Sequence, residues 1–338
     1  MKGYTAIRET VGLYHDAGLV GLRFEGADAE RWLEAVCPAE LNLQRGQIKH
    51  TVLLRDDGRI LADAYAARLG ARRFLYARGL DAAALLEWLE GHRPDGCGAQ
   101  VHDEGPDHAT LSIHGPFAWE LASEVVGPDI LGVPYLGVGE LGGVRCLRIG
   151  ETGEYGYTFV VPRSMQPDFE ARLAAHGPTF DLAPVDRAAL AQCALENGFL
   201  DVLRPGVAAH TPLELQQQWR LSRHKPWPGA DALKARREAG LAVRSTTLLL
   251  DGEVKAGAAV QLDGRPVGEV LYGGRSPLRE RWVALALIAR PLAHPGIDFA
   301  VDGRPARSVS PPVIDNRSIY VDPYRHSYPK GDVPEMPG

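Results

Sequence analysis

Cysteine is scarce in this sequence, and the few cysteines are poorly placed for metal or disulfide chemistry. Cys37, Cys97, Cys146 and Cys193 lie far apart, and no two of them form a CxxC pair. This spacing argues against both a zinc site and a disulfide framework, and it favours a reducing, cytoplasmic setting. Histidines and carboxylates also lack the spacing of metal ligands, so we expect no metal site.

Long apolar runs and an excess of basic residues are missing as well. No stretch reaches the roughly 18 apolar residues that a membrane span requires, and the opening MKGYTAIRETVG lacks the apolar core of a signal peptide. The net charge is −6, and the 37 Lys and Arg are dispersed, whereas nucleic-acid binding needs clustered positive charge. We therefore expect a globular protein with no nucleic-acid partner and no membrane insertion.

The pattern that is present indicates a mixed α+β region over residues 1–240. Predicted helices and strands alternate through it, and a hairpin sheet is inserted at about residues 47–105. The strands of the hairpin, Gln47 to Leu54 and Ile60 to Ala67, are joined by a loop with an Asp-Gly step, which is a strong hairpin signal. The 338 residues, of which 45% are hydrophobic, suffice for about two to three domains.

The texture of the sequence changes near residue 241. Short strands separated by glycine turns follow one another over residues 241–325, and this spacing predicts a small β-barrel or sandwich. Residues 326–338 are polar and rich in proline, so we expect a flexible tail there.

A glycine-rich stretch between two predicted strands is the first candidate site. It reads RIGETGEYGYTF from Arg148 to Phe159, and its three glycines recur every third residue, which predicts a tight turn. The turn presents Glu151 and Glu154 at its tip, and loops held by strands commonly carry binding residues. An ordinary glycine-rich hairpin with solvated glutamates is the alternative, and the spacing alone does not decide between them.

The second candidate is a carboxylate within the predicted hairpin. In GRILADAYAAR the strand period puts Asp63 and Tyr65 on one face and three alanines on the other. Burial among such small neighbours raises the pKa of a carboxyl group, which makes Asp63 a candidate base or a hydrogen-bond anchor. His50 lies on the neighbouring strand and could form an acid–base pair with it. A carboxylate on a wet sheet face and a purely structural histidine are the alternatives.

Several stretches, in one order, resemble the folate-dependent aminomethyltransferase family, which includes the glycine-cleavage T protein. RIGETGEYGYT resembles the family pattern RTGYTGExGYE, and GRILADAYA resembles GGIxDDLxV. SIHGPFAWELA, TPLELQQQWRLSRHKPWPGADAL and PVGEVLYGGRSPLRERWVALALI resemble three further family segments. YTAIRETVGLYHDAGLVGLRFEGADAERWL, which begins at Tyr4, resembles the opening helix, strand and helix of the family. The resemblance covers about Tyr4 to Asp322.

The resemblance implies a T-protein-like α+β fold, in which two intertwined subdomains surround a central folate-binding channel and a C-terminal β-barrel packs against them. It implies tetrahydrofolate as cofactor and Asp63 as the catalytic carboxylate, with His50 beside it as a second catalytic candidate. Seven residues that match the family motifs or neighbour them are expected to contact the cofactor. They are Glu154, Arg148, Glu151, Thr158, Tyr65, Arg187 and Trp219.

The sequence departs from the family pattern at residues that line the ligand site. Thr158 stands where the family has the glutamate that reads the edge of the pterin ring, and Glu151 stands where it has tyrosine. Leu190 replaces the arginine of the pterin site, although Arg187 lies one helical turn away. His50 replaces a family tyrosine.

We therefore expect a tetrahydrofolate-dependent transferase that moves a one-carbon unit to or from a small amine- or methoxy-bearing substrate. A lipoyl carrier protein is a less favoured partner, because the SHMG segment of the family is absent. One alternative is a non-catalytic folate-binding or assembly protein, although ENGFLDVLRPG replaces the cysteine motif of that branch. The other alternative is the same scaffold adapted to a different ligand without folate.

Overall fold

The structure, a computed structural model, describes residues 2–336. Its α-helices are α1 (Lys2–Glu9), α2 (Ala29–Val36), α3 (Ala82–Gly91), α4 (Ala118–Val126), α5 (Gln166–His176), α6 (Arg187–Asn197) and α7 (Ala230–Ala239). Its first eleven strands are β1 (Gly12–His15), β2 (Val20–Glu25), β3 (Gln47–Leu54), β4 (Ile60–Leu69), β5 (Arg72–Arg78), β6 (Gln100–Asp103), β7 (His108–His114), β8 (Val138–Leu141), β9 (Val144–Leu147), β10 (Gly156–Pro162) and β11 (Ala183–Pro184). The remaining strands are β12 (Val243–Leu250), β13 (Ala259–Leu262), β14 (Arg265–Ser276), β15 (Arg281–Ala289), β16 (Asp298–Val301) and β17 (Arg304–Val309).

Two sheets share the first part of the chain and are interleaved in sequence. A six-stranded sheet has the order β11-β1-β7-β10-β9-β8, and a five-stranded sheet has the order β3-β4-β5-β2-β6. Every strand of the five-stranded sheet lies in sequence between β1 and β7, which are neighbours in the other sheet. This arrangement is the predicted pair of intertwined subdomains. The inserted sheet also includes β2, so it begins earlier than residue 47, because β2 pairs with both β5 and β6.

The predicted hairpin forms the edge of the five-stranded sheet and fixes which way Asp63 faces. The alanines at 62, 64 and 66 are buried in a cluster with Trp32 and Leu33 of α2. Tyr65 points to the opposite side and packs with Leu147 and Ile149, near the six-stranded sheet. Successive strand residues alternate between faces, so Asp63 shares the side of Tyr65.

Helix ends follow local capping chemistry. The Asp81 side chain accepts a hydrogen bond from the Ala84 amide at 2.8 Å and begins α3. Asp28 occupies the N-terminal capping position of α2, but its side chain makes no capping bond there. Its carboxylate accepts instead from the Gly98 amide at 2.9 Å, because the loop before β6 approaches the start of the helix.

The C-terminal region is a closed barrel, which confirms the barrel prediction. Its strand order is β12-β15-β14-β13-β16-β17, and closure requires β17, a strand that the sequence pattern alone did not reveal. A buried cluster joins the barrel to the rest of the chain, and it includes Val52 of β3, Leu195 of α6 and Val283 of β15. The three parts of the fold therefore meet at one core, beside the end of the hairpin that carries Asp63.

The segment predicted as a flexible tail makes defined contacts where the structure describes it. Ser327 donates its hydroxyl to the Glu120 carboxylate at 2.6 Å, and the Tyr328 ring packs on Phe117 with 5.1 Å between ring centroids. Residues 329–336 follow, and residues 337 and 338 lie outside the described part of the chain. Packing of the Tyr328 ring on Phe117, directly before α4, stabilises this segment against the rest of the fold.

Candidate functional site

Asp63 lies in a buried ion-pair network of three side chains. The His50 ring nitrogen Nε2 is 2.9 Å from Asp63 Oδ1 and 3.1 Å from Oδ2. The guanidinium of Arg220 contacts the same carboxylate and also reaches the Thr51 carbonyl at 3.5 Å. Asp63 is only 3% exposed, so the alternative of a carboxylate on a wet sheet face is wrong.

The network reverses the expected direction of the Asp63 pKa. Burial alone would raise the pKa, and the sequence predicted that outcome. The electrostatic interaction and hydrogen bond with His50, and then those with Arg220, outweigh burial and hold the pKa of Asp63 well below its usual range. Asp63 is therefore a fixed negative charge at neutral pH, which suits it to bind or stabilise a positive group rather than to accept a proton.

His50 connects this network to two other predicted residues. Its ring stacks on Tyr65 with centroids 4.2 Å apart, and it meets Trp219 edge-on at 5.9 Å. The guanidinium of Arg220 lies over the Trp219 ring at 4.9 Å. The structure thus brings Asp63, His50, Tyr65 and Trp219 together. Arg220 also belongs to this group. The only sequence feature that indicates it is its position directly after Trp219.

The glycine-rich stretch forms the tight turn that its spacing predicts. Gly153 has a φ of +80°, and a Cβ atom there would lie 2.3 Å from Asn197 Oδ1. A Cβ atom at Gly156 would lie 2.6 Å from the Ile149 carbonyl oxygen. Contacts this short exclude any side chain, so the glycines allow the turn to pack between β9 and α6.

The two glutamates of the turn have different environments, and neither is an ordinary solvated loop residue. Glu154 is buried, and its carboxylate accepts from the Ser318 amide at 2.8 Å, the Ser318 hydroxyl at 2.6 Å and the Arg317 amide at 3.2 Å. Arg8 adds an ion pair at 3.3 Å. Burial still raises the pKa of Glu154. All of these contacts fasten the turn to α1 and the C-terminal segment, so Glu154 is not positioned to contact a cofactor.

Arg148, another residue predicted to contact the cofactor, is also directed elsewhere. Its guanidinium donates to the Val133 carbonyl at 2.9 Å and lies over the rings of Tyr155 and Tyr157, at 5.2 and 5.7 Å from their centroids. A guanidinium satisfied by a carbonyl and two aromatic faces is a packing element. Contact between Arg148 and a cofactor stays a prediction.

A cavity of about 40 Å³ lies beneath the turn. Four of the predicted cofactor-binding residues line it, together with residues of β5, β7 and α6. The lining comprises Asp16, Leu19, Tyr65, Arg78, Ser112, His114, Ile149, Gly150, Glu151, Thr152, Thr158, Arg187 and Leu190. Asp63 itself does not line this cavity. Its partner His50 stacks on Tyr65, which is part of the cavity wall.

Two arginines line this cavity, Arg187, which the sequence predicts at the site, and Arg78, which it does not. Arg78 makes a two-pronged ion pair with Asp16, with distances of 2.8 and 2.6 Å. Arg187 is held by Asp201 at 2.6 Å. Arg78 is directly opposite Asp63 in the pairing of β4 with β5, so extending the predicted hairpin to its third strand would have located it.

Glu151 is the exceptional group in the cavity wall. Within residues 2–336 its carboxyl group has no hydrogen-bond or ion-pair partner. Burial, followed by the nearby negative charge of Asp63, raises its pKa to about 7, while Arg78 and Arg187 oppose the increase. A carboxyl group with this pKa exchanges its proton in the physiological range.

His114 is a second polar residue of the cavity wall that lacks a hydrogen-bond partner in the described part of the chain, here at one of its two ring nitrogens. Its Nε2 atom is 2.9 Å from the Ser112 hydroxyl, and its buried Nδ1 has no partner among the described residues. Burial lowers the pKa of His114 to about 4, so the ring is neutral at neutral pH. A neutral imidazole offers one donor and one acceptor nitrogen.

A wider groove of about 550 Å³ runs between the barrel and the α+β region. Trp219, 63% exposed, forms part of its wall. Arg244 donates to the Gln216 side chain at 3.0 Å, but its buried Nε and the buried hydroxyl of Thr246 have no partner among residues 2–336. The volume lies in the range of pockets that hold small ligands.

Two absences apply to the described part of the chain. No helix there is long and apolar enough to pass through a bilayer. Over the same residues, no group of three or more His, Cys, Asp or Glu side chains is arranged to hold a metal ion, and all four cysteines are buried and unpaired.

Family models match most of the chain. The model described as the GCVT N-terminal domain matches residues 2–225, and that of the glycine cleavage T-protein C-terminal barrel domain matches residues 244–315. An aminomethyltransferase of Synechococcus sp. (strain WH7803) is 28% identical, over 89% of this chain and 85% of the relative. A probable aminomethyltransferase of Thermococcus gammatolerans is 25% identical, over 92% and 88%.

A solved structure has the same fold. The glycine cleavage system aminomethyltransferase T from Bartonella henselae superposes with a TM-score of 0.82, covering 94% of this chain and 90% of that chain at 22% identity. This likeness confirms the predicted fold class, two interleaved α+β parts with a C-terminal barrel.

Proposed function

The chain belongs to the glycine-cleavage T-protein family of aminomethyltransferases, and on this premise we propose that it is a tetrahydrofolate-dependent one-carbon transferase. Its substrate is a small amine- or methoxy-bearing molecule. A lipoyl carrier protein is the less favoured donor. The observation that carries the proposal is the buried carboxylate of Asp63, which contacts both His50 and Arg220.

A fixed negative charge at this position has a specific use in such a transfer. When bound, tetrahydrofolate supplies the nitrogens that carry the one-carbon unit. A one-carbon unit exchanged between nitrogens passes through species with developing positive charge, and a preorganised carboxylate stabilises that charge. Arg220 and His50 keep Asp63 ionised and hold its orientation, because both contact the carboxylate directly. His50 also borders Tyr65 and Trp219, which line the small cavity and the wide groove respectively.

The unsatisfied polar groups fit a nitrogen-rich ligand that carries a charged tail. Glu151 and His114 Nδ1 are acceptor or donor sites without protein partners in the small cavity. In the groove, the exposed Trp219 ring offers a stacking surface, and the free Nε of Arg244 offers a donor for an anionic group. These features support a ligand that extends from the cavity to the groove.

The experiment that tests this proposal is a calorimetric titration with tetrahydrofolate. We expect one site with a dissociation constant in the micromolar range for the wild type. The Asp63→Asn variant should bind at least about 30-fold more weakly, because it loses a charged contact worth about 2 kcal/mol or more. Glu140→Gln is the matched control, since Glu140 is a surface carboxylate paired with Arg72, and its affinity should remain unchanged.

Catalysis requires a second readout. Incubation of the wild type with N-methyl and O-methyl substrates labelled with ¹³C should move the label to tetrahydrofolate, and mass spectrometry of the folate pool detects it. A folded wild type that binds no tetrahydrofolate and transfers no label would contradict the proposal.

One observation favours a second candidate, the same scaffold adapted to a different ligand. The cavity beneath the turn has about 40 Å³, room for about three water molecules, and Thr158 and Leu190 in its wall carry no charge. A ligand smaller than folate fits such a space without movement of the wall. The titration described above separates the two candidates, because only the first predicts tetrahydrofolate binding.

A further inference from the structure

Glu151 is a partly exposed residue of the cavity wall, and it differs from the buried acids of this region in having no hydrogen-bond or ion-pair partner among residues 2–336. Asp63, Glu154 and Asp16 each have an arginine partner within the described chain, whereas Glu151 has none. Removing a carboxylate from water without a partner is unfavourable. Such a group persists at a cavity wall when a ligand supplies the missing hydrogen bonds, which is why unpaired buried polar groups indicate binding sites.

A second unpaired group lies in the same cavity. His114 is 6% exposed, and its Nδ1 atom has no partner among residues 2–336. The backbone of the glycine turn passes close to this nitrogen: a Cβ atom at Gly156 would lie 3.2 Å from it, and one at Gly150 would lie 3.6 Å from it. Glu151 directly follows Gly150, so the turn carries the carboxyl group beside the imidazole.

The charges around Glu151 come from several elements. Asp63 lies on β4, Arg78 on β5 and Arg187 on α6, and Asp201 follows α6. Three tyrosines, Tyr65, Tyr135 and Tyr272, also interact with it electrostatically. The cavity wall adds Asp16, which is paired with Arg78, and the neutral His114. Both arginines pair with aspartates, and within the described residues neither makes a hydrogen bond to Glu151.

We propose that Glu151 is the specificity-determining residue of this cavity, and that its carboxylate accepts hydrogen bonds from two adjacent N–H donors on the edge of a planar amino-heterocycle. A carboxylate has two oxygens in one plane and matches two parallel donors. The cavity holds the volume of about three water molecules, which suits the donor edge of a ring rather than the whole ring. This assignment rests on the proposed function, since a reduced pterin presents such an edge.

The experiment is a double-mutant cycle that compares binding affinities when one group is changed on the protein, on the ligand, or on both. The ligands are a 2-amino-4-oxo tetrahydropterin and its 2-methyl analogue, which lacks the exocyclic N–H donors. The proteins are the wild type, Glu151→Gln and the control Glu140→Gln, all measured at pH 8. Glutamine keeps the shape of glutamate, but it turns an amide N–H₂ toward the donors of the ligand.

We expect Glu151→Gln to weaken binding of the tetrahydropterin by about 10- to 100-fold. It should weaken binding of the 2-methyl analogue by a clearly smaller factor, because that analogue keeps only the ring N–H of the two donors. The control variant should match the wild type for both ligands. Glu151 must also be ionised to accept two donors, and its pKa is raised to about 7. Wild-type affinity should therefore fall about tenfold from pH 8 to pH 6, and that of Glu151→Gln should remain flat.

Two results would overturn the assignment. The first is equal affinity of wild type and Glu151→Gln for the tetrahydropterin, and the second is an equal loss for both ligands. Either result leaves the proposed function intact if the wild type still binds tetrahydrofolate. Absence of tetrahydrofolate binding by the folded wild type removes the proposed function instead, so the two failures are distinguishable.

Discussion

Arg220 contacts the carboxylate of Asp63 across 157 residues of sequence, and each side chain is only 3% exposed. This contact makes Asp63 different from Glu151, the other acid of the site. Interactions with His50 and Arg220 hold the pKa of Asp63 below its usual range, whereas burial and the nearby charge of Asp63 raise the pKa of Glu151 to about 7. One acid is a fixed charge, and the other is free for a ligand.

The first prediction concerns the buried ion pair. Arg220→Met should lower the free energy of unfolding by about 3–5 kcal/mol, because it leaves Asp63 buried with His50 as its remaining partner. The double variant Asp63→Asn/Arg220→Met should lose less than the sum of the two single variants, since no unpaired charge remains. Urea unfolding monitored by circular dichroism measures all four proteins. Strict additivity would show that the two side chains are not coupled.

The second prediction is the acid dependence of stability. The pKa of Asp63 is lower in the folded than in the unfolded protein, so the unfolded chain takes up the proton first as the pH falls. The stabilisation is fully present above the unfolded pKa of about 4 and is lost below it. From pH 5 to pH 2, the unfolding free energy of Asp63→Asn should fall less steeply than that of the wild type. Parallel curves would contradict this.

The third prediction concerns Glu151, whose ionisation lowers the free energy of unfolding, whereas that of Asp63 raises it. Its pKa is raised in the folded state, so its ionisation destabilises the fold as the pH rises from about 4.5 to 7. Glu151→Gln should therefore increase the free energy of unfolding by about 1–3 kcal/mol at pH 8 and change it little at pH 4.5. Thermal melts at the two pH values test this. A variant that is less stable at pH 8 would show that Glu151 has a structural role.

The fourth prediction separates the two glutamates of one turn. Glu154→Gln should destabilise the protein by about 1.5–3 kcal/mol, because Oε1 accepts from the Arg317 amide and Oε2 from Ser318, and an amide N–H₂ would replace one of these two acceptors. The same substitution at Glu151 should stabilise it at pH 8. Comparing the two variants in one urea titration controls for the change in net charge. Equal effects would contradict the distinct environments of the two side chains.

The fifth prediction concerns the wide groove. Trp219→Ala should weaken tetrahydrofolate binding by about 3- to 10-fold through loss of aromatic stacking, with a change in stability below about 0.5 kcal/mol because the ring is exposed. Tyr324→Ala is the matched control, since that ring is 92% exposed and does not line the groove. If both variants bind as the wild type does, the groove does not contact the ligand.

Local sequence patterns predicted what depends on near neighbours. The strand period placed Asp63 and Tyr65 on one face, and the hairpin placed His50 beside Asp63, because the hairpin joins strands close in sequence. The glycine spacing predicted the tight turn for the same reason. These features required no knowledge of distant residues.

Partners that are distant in sequence decided the rest. The direction of the Asp63 pKa depends on Arg220, and the role of Glu154 depends on Ser318, which is 164 residues away. Glu151 and Glu154 are the same residue type and lie three residues apart, yet only Glu154 contacts the C-terminal segment. No local pattern distinguishes them, because the difference arises from tertiary packing.

The most direct test is a pH titration of the side-chain carboxyl ¹³C resonances of Asp63 and Glu151, assigned with the Asp63→Asn and Glu151→Gln variants. The account predicts that Asp63 remains ionised down to pH 3, that Glu151 titrates near pH 7, and that tetrahydrofolate shifts the Glu151 titration to lower pH. Titration of both groups near pH 4, unaffected by tetrahydrofolate, would contradict it.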